Sequence, residues 1–216
     1  MNAPTPSSSE RTAKLEGLGC ARKRVEDARF TQGKGNYVDD IRLPGMLFGD
    51  FVRSPYGHAR ITRIDKQAAL KVPGVVAILT AADLKPLNLH YMPTLAGDVQ
   101  AVLADEKVLF QAQEVAFVIA TDRYAAADAV ELVEVDYEAL PALVDPFKAL
   151  NADAPVLRED IRGKTEGPHG PRRHPNHVFL WEAGDKAATE QALAAAEVVA
   201  EELISYQRVH PCPLET

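Results

Sequence analysis

The chain has 216 residues, 46% hydrophobic and 25% charged, an ordinary composition for a soluble globular protein of one or two domains with a sizeable core. Its net charge of −7, from 24 Lys and Arg against 31 Asp and Glu, argues against a duplex-wide phosphate-binding surface and leaves only local basic patches such as Arg22-Lys23-Arg24. Two cysteines, Cys20 and Cys212, make no paired metal or redox spacing, so free thiols in a reduced, cytosolic chain are the simpler reading. No run is long enough to cross a bilayer. The opening MNAPTPSSSERTAK has no apolar stretch of a secretory signal, and its Pro/Ser richness suggests a disordered leader over residues 1–16.

From Gly17 the chain runs GLGCARKRVEDARF. Glycines beside three basic residues invite a phosphate-loop reading, but neither the P-loop nor the dinucleotide pattern is matched and no buried strand precedes it. An ordinary solvated segment packing through Val25 and Phe30 is the better reading. Phe30 to Asp65 then holds two short apolar strands, a Pro-Gly reversal and a high density of turn residues. Gly33 and Gly35 suit positive φ. Pro44-Gly45 suits a type II turn, with Gly in the left-handed position. Met46 to Arg53 and Ala59 to Asp65 read as strands of an opening hairpin. Asp65 is placed to cap a short helix over KQAALK, which Pro73-Gly74 ends.

Val75 to Leu79 is a β-branched apolar run and reads as a buried strand. Thr80-Ala-Ala-Asp83 is a helix-start signature with a carboxylate at the third position. Residues 85–104 lack periodicity and contain Pro86, Pro93 and Gly97, a long loop of the kind that serves function or an interface. Lys107 to Phe110 and Val115 to Ala120 are predicted strands, and VAFVIA is apolar enough to be central. Asp122 caps a helix over RYAAADAVEL, whose alanines permit close approach to a sheet. Val133 to Tyr137 alternates, with Val133 and Val135 on one face and Glu134 and Asp136 on the other. Pro141 and Pro146 mark the exit, and a domain boundary falls near 145–150. Residues 151–178 are loop-like. Phe179 to Glu182 reads as a short strand, Asp185 caps a helix over KAATEQALAAA, and Glu197 to Val209 alternates as one long strand.

The run GKGNYVDDIRLPGMLFGDFVRSPYGHARI resembles the opening of the large, molybdenum-binding subunit of the molybdenum hydroxylases, the xanthine dehydrogenase and aldehyde oxidase family. VPGVVAILTAADL, PTLAGDVQAVLADEKVLFQAQEVAFVIA and AADAVELVEVDYEALPALVD continue it, so the resemblance covers nearly the whole chain beyond about residue 17. Within the family, LHYMPTLAGDVQAVLADEKVLF is most similar to the branch of aerobic carbon monoxide dehydrogenases. The implied fold is α+β. An α/β-hammerhead domain, a mixed sheet with hairpins and covering helices, spans 17–148 with its lead-in. Residues 149–216 are a linker and the incomplete start of a molybdopterin-binding domain, since QRVHPCPLET resembles the strand and loop that open it.

Candidate chemistry is sparse. His169, His174 and His177 stand as H-x4-H-x2-H, but no cysteine is near and Arg172 and Arg173 flank the run, so solvated loop histidines are the default. Asp39-Asp40 as catalytic carboxylates is set against turn-forming acids, because adjacent residues point apart. Glu114, before a buried strand, is weighed as a carboxyl of shifted pKa against a strand-end acid in solvent. No GxSxG, Cys/His pair or P-loop occurs. No catalytic or metal residue is therefore expected in these 216 residues, and none is assigned to cofactor binding.

The resemblance implies the same. Family members carry molybdenum–molybdopterin cytosine dinucleotide, with copper bound by a cysteine loop in the carbon monoxide-oxidising branch, on later domains of a longer subunit. Cys20 and Cys212 do not match that loop. FAD and 2Fe–2S clusters sit on a medium and a small partner subunit. The expected activity is oxidation of CO with water to CO2, with this stretch as scaffold and no nucleic-acid or transmembrane partner. The implied location is cytoplasmic, with a peripheral position at the inner membrane face as a variant. The alternatives are a hydroxylase of xanthine, aldehyde or N-heterocycle, and a non-catalytic interaction module.

Overall fold

A computed structural model describes residues 23–92, 100–159, 166–167, 170–171, 174–178, 183–206 and 209. Contacts divide the chain into two units, residues 1–43 with 204–216 and residues 44–203.

In the smaller unit the lead-in forms one helical turn, α1 (Asp27–Phe30), and a 3-10 turn at Val38–Asp40. Gly33 takes the expected left-handed conformation at φ +68°. Gly35 does not, which corrects that expectation. Its backbone lies between two rings, and a Cβ there would stand 3.3 Å from both Phe30 and Tyr37. Those rings stack at 5.5 Å. The expected packing through Val25 is also corrected, because Val25 is 98% exposed. Val38, Ile41 and Leu43 are exposed as well, so the ring pair is this segment's apolar anchor among the described residues.

The larger unit holds two three-stranded sheets. In the first, β5 (Glu114–Ala120) lies between β1 (Phe48–Arg53) and β3 (Val75–Thr80), antiparallel to both. This is the central position expected for VAFVIA. Val52, Ile78, Ala116, Val118 and Ala120 point to the core, where helix α3 (Arg123–Glu131) lays Ala125, Ala126 and Ala129 against them. Alanine lets the helix approach the sheet closely without voids. α2 is the short turn Ala81–Leu84.

In the second sheet β2 (Ala59–Asp65) lies between β4 (Lys107–Val108) and β6 (Glu134–Ala139), again antiparallel. Ala59, Val108, Val115 and Ala104 form its core, with Ile61, Ile64, Val135 and Tyr137 packed on it. The opposite face is polar. Arg60 faces Glu138 at 3.7 Å, and Arg63 meets Asp65, Glu134 and Asp136 at 2.7–3.2 Å. The ladder slips between Ile61 and Arg63, where Thr62 reaches the Asp136 carbonyl.

The expected β1–β2 hairpin does not form, because the two strands belong to different sheets. Ser54-Pro-Tyr-Gly-His58 carries the chain from one to the other. Pro44-Gly45 instead enters β1, with Gly45 at φ +73°. The helix expected over KQAALK is only a 3-10 turn at Ala69–Lys71, although Asp65 Oδ1 does accept from the Gln67 amide. The strand expected at Lys107 to Phe110 stops at Val108.

The long loop after α2 turns at Asn88 (φ +55°) and carries an antiparallel bridge between Tyr91 and Ala101. The loop-like 151–178 region includes a minimal hairpin, β7 (Glu166–Gly167) with β8 (Gly170–Pro171). α4 (Lys186–Ala195) starts where expected, with Asp185 accepting from the Ala188 amide at 2.9 Å. The long strand expected at 197–209 is absent: its described residues join no ladder. Val198, Leu203 and Tyr206 are 74–89% exposed there. The predicted strand Phe179–Glu182 lies outside the described residues.

Candidate functional site

Two places in the larger unit gather polar side chains. The first is the corner between the sheets. Ser54 and His58, 2% and 5% exposed, anchor the crossing. The Ser54 hydroxyl donates to the Tyr56 carbonyl and accepts from the Tyr56 amide. The Ser54 amide and carbonyl bond Gln113 and Ala112 beside β5. His58 Nδ1 donates to the Pro141 carbonyl at 2.7 Å, and the His58 carbonyl accepts from the Leu140 amide. Burial pushes the Tyr137 phenol above its usual range, opposed in part by a hydrogen bond with Ser54. The Tyr137 ring packs 5.2 Å from Tyr56. The Ser54 and His58 bonds hold backbone, so the corner works as a clamp.

The second place is a cavity of about 260 Å³ between the 91–113 segment and residues 158–159, lined by Tyr91, Leu109, Phe110, Gln113, Lys107 and Arg158 among others. Its polar groups are engaged with one another. Lys107 Nζ donates to the Leu157 carbonyl at 3.0 Å and lies 3.7 Å from Glu159. Gln113 Oε1 accepts from the Leu109 amide. Lys85 pairs with Asp105, whose hydrogen bond holds the ammonium above its ordinary pKa. The Arg158 guanidinium stands 5.9 Å from the Tyr91 ring centre.

The residues singled out from the sequence are scattered. Asp40 accepts from the Tyr37 amide at 3.0 Å and closes the 3-10 turn, and the Asp39 carbonyl accepts from Arg42. Glu114 pairs with Arg53 across the β1–β5 ladder at 2.5 Å. The His174 ring accepts from the Asn176 amide. His169, Cys20 and Cys212 lie outside the described residues. Among the described residues no three His, Cys, Asp or Glu side chains converge as metal ligands. His58 Nε2 and His90 Nδ1 are buried without partners, but neither has a donor set around it. Lys107, which lines the cavity, already faces the Glu159 carboxylate. The described residues therefore do not fit a molybdenum or copper centre or a dinucleotide phosphate. Sequence reasoning missed the Ser54–His58–Tyr137 clamp. Its signal was the Ser-Pro-Tyr-Gly-His turn itself, a proline and a glycine between two polar residues at a strand end.

A family model described as "Aldehyde oxidase and xanthine dehydrogenase, a/b hammerhead domain" matches residues 32–141. The chain belongs to this family. The match covers both three-stranded sheets and α3. The large chain of the carbon monoxide dehydrogenase of Afipia carboxidovorans is 72% identical over the whole of this hammerhead-containing chain, which covers 27% of that relative. The corresponding chain of Hydrogenophaga pseudoflava is 63% identical, also over the whole chain and 27% of the relative. Among solved structures, reconstituted CO dehydrogenase from Oligotropha carboxidovorans superposes with a TM-score of 0.79 at 72% identity, over 98% of this chain and 26% of that one. The α+β class and the hammerhead reading hold. The chain thus spans about a quarter of the length of the relatives it matches. No helix of the described residues is long and apolar enough to cross a membrane.

Proposed function

We propose that this chain is the N-terminal scaffold portion of the large subunit of a carbon monoxide dehydrogenase. The supporting observation is the 72% identity to such a large chain over the full length of these residues. Nicotine 6-hydroxylase large subunit of Paenarthrobacter nicotinovorans, of the same family, is 34% identical over 89% of the chain. On this reading the whole enzyme oxidises CO with water to CO2, two protons and two electrons. The electrons leave through iron–sulfur clusters and FAD on a small and a medium subunit. The cofactor, molybdenum–molybdopterin cytosine dinucleotide with copper, is held by other parts of the large subunit. Residues 17–148 form the hammerhead domain with its lead-in, after a leader at 1–16, and 149–216 lead into the next domain. None of these residues is catalytic or a metal ligand. Their work is to present two rigid sheets joined by the Ser54–His58 clamp. A reducing, cytoplasmic setting suits Cys20 and Cys212 as free thiols.

The test is a substrate panel on the assembled enzyme. CO-dependent dye reduction, with no turnover of hypoxanthine, nicotine or an aldehyde, is the expected result. Turnover of one of those in place of CO contradicts the proposal and supports the hydroxylase alternative. Assembly without any turnover favours the interaction module.

A further inference from the structure

The β1–β5–β3 sheet ends on β3, and no strand of the described residues pairs with the outer edge of β3. The sequence of that strand, Val75-Val-Ala-Ile-Leu-Thr80, carries no charge, no proline and no glycine. A run of this kind at a sheet edge is a template for pairing with another chain. Val76 is 55% exposed there. β1, at the opposite edge, has Asp50 and Arg53 in its own sequence, and Asp50 Oδ1 accepts from the Phe51 amide at 2.7 Å. β3 has no charged residue of its own.

The ladder fixes which peptide groups of β3 point outward. The Thr121 amide donates to the Gly74 carbonyl, so Ile119 and Phe117 also turn their peptide groups to β3, where Ala77 and Leu79 face them. Ile78 and Thr80 therefore present their amides and carbonyls to the outside. Two side chains from flanking segments meet them. Lys66 Nζ donates to the Ile78 carbonyl at 2.9 Å, and Asp83 Oδ2 accepts from the Thr80 amide at 2.7 Å. Lys66 and Asp83 also pair with each other at 3.2 Å. Lys66 follows β2, and Asp83 belongs to α2. Helix capping accounts for the Thr80 bond alone. It does not account for a lysine that crosses from another segment to the carbonyl two residues earlier.

We propose that Lys66 and Asp83 form a guard on the β3 edge that shuts out strand addition by a second copy of this chain. The excluded contact is antiparallel pairing of one β3 edge with another, which needs the outward Ile78 carbonyl and Thr80 amide. The guard occupies both groups and sets a charged pair on an otherwise apolar edge.

The experiment follows self-association of the assembled enzyme by sedimentation velocity over a range of concentrations, with thioflavin T as a second probe. Lys66→Met keeps the aliphatic stem and removes the ammonium. Asp83→Ala is made separately, so that loss of one variant at assembly leaves the other to decide. Lys71→Met, which removes a charge from the exposed turn nearby, is the control. The expected result is association of Lys66→Met and of Asp83→Ala at several-fold lower concentration than wild type or Lys71→Met. Adding Val76→Lys, which returns a charge to the same edge, should bring either variant back to wild-type behaviour. Association no greater than that of Lys71→Met overturns the proposal. So does association that Val76→Lys fails to relieve, which marks a general loss of stability rather than an opened edge. Failure of both variants to assemble, with no recovery on adding Val76→Lys, assigns the pair to folding alone and also overturns it. The readout does not depend on the substrate, so the guard and CO turnover stand or fall separately.

Discussion

At the scale of single residues, the close approach of Gly49 and Phe117 is the sharpest constraint. A Cβ on Gly49 would lie 2.1 Å from Phe117 Cζ, so Gly49→Ala must displace the ring or the strand. Overpacking of this kind costs about 1–3 kcal/mol. Thermal unfolding should show it, and Phe117→Leu in the same chain should recover part of the loss. Additive losses would refute the contact. Tyr137 makes a different prediction. Its phenol is raised by burial, so the stability it contributes is present below the ordinary phenol pKa of 10.0 and fades as pH climbs through the higher folded value. Tyr137→Phe should flatten this alkaline loss, read as unfolding midpoints across pH. Asp83 has the opposite sign. The Thr80 amide and hydroxyl hold its carboxyl below the ordinary 3.8, so its contribution is present above that value and is lost as pH falls through the lower folded one. Asp83→Asn should cost roughly 0.5 kcal/mol at neutral pH, at the low end for a cap because the group is largely exposed. It should cost nothing in strong acid.

At the scale of elements, α3 is set by the residue that caps its start. Asp122 accepts from the Tyr124 and Ala125 amides at 3.0 and 2.9 Å. Asp122→Ala should cost about 1 kcal/mol. Urea titrations should show a lower midpoint with an unchanged slope, and an unaltered midpoint would remove the cap from the account. This helix and the central strand β5 were legible from residue pattern, because a cap, an alanine stripe and a β-branched run act locally. The partition of β1 and β2 into separate sheets was not. Nothing in Met46–Asp65 says that Ser54 and His58 are buried and bonded to Gln113, Ala112, Leu140 and Pro141, residues more than 50 positions away. Alternation at 197–209 likewise supplies faces but no neighbour, and a strand exists only when another edge satisfies its amides. Gly35 was misread because glycine serves close approach as well as positive φ, and only the positions of Phe30 and Tyr37 decide between them. Of the candidate site residues, Asp39-Asp40 and Glu114 resolve into a turn and an ion pair, roles set by partners that sequence distance hides.

At the scale of the whole molecule, the β4–β2–β6 sheet carries a charged face, and Val198, Ile204 and Tyr206 are each more than 60% exposed. Groups that would meet a molybdenum centre are not gathered among the described residues. On the proposed reading, more protein completes this domain and the chemistry is done elsewhere. The family resemblance read from the residues agrees, since the motifs that carried it lie in turns and strand ends of the hammerhead. The most direct measurement is the intact mass of the native polypeptide bearing this sequence, isolated from cells. The proposed large-subunit reading predicts a polypeptide roughly four times as long, since this chain covers 27% of its relatives, eluting with two smaller subunits. A native species of 23.5 kDa eluting alone would contradict the account.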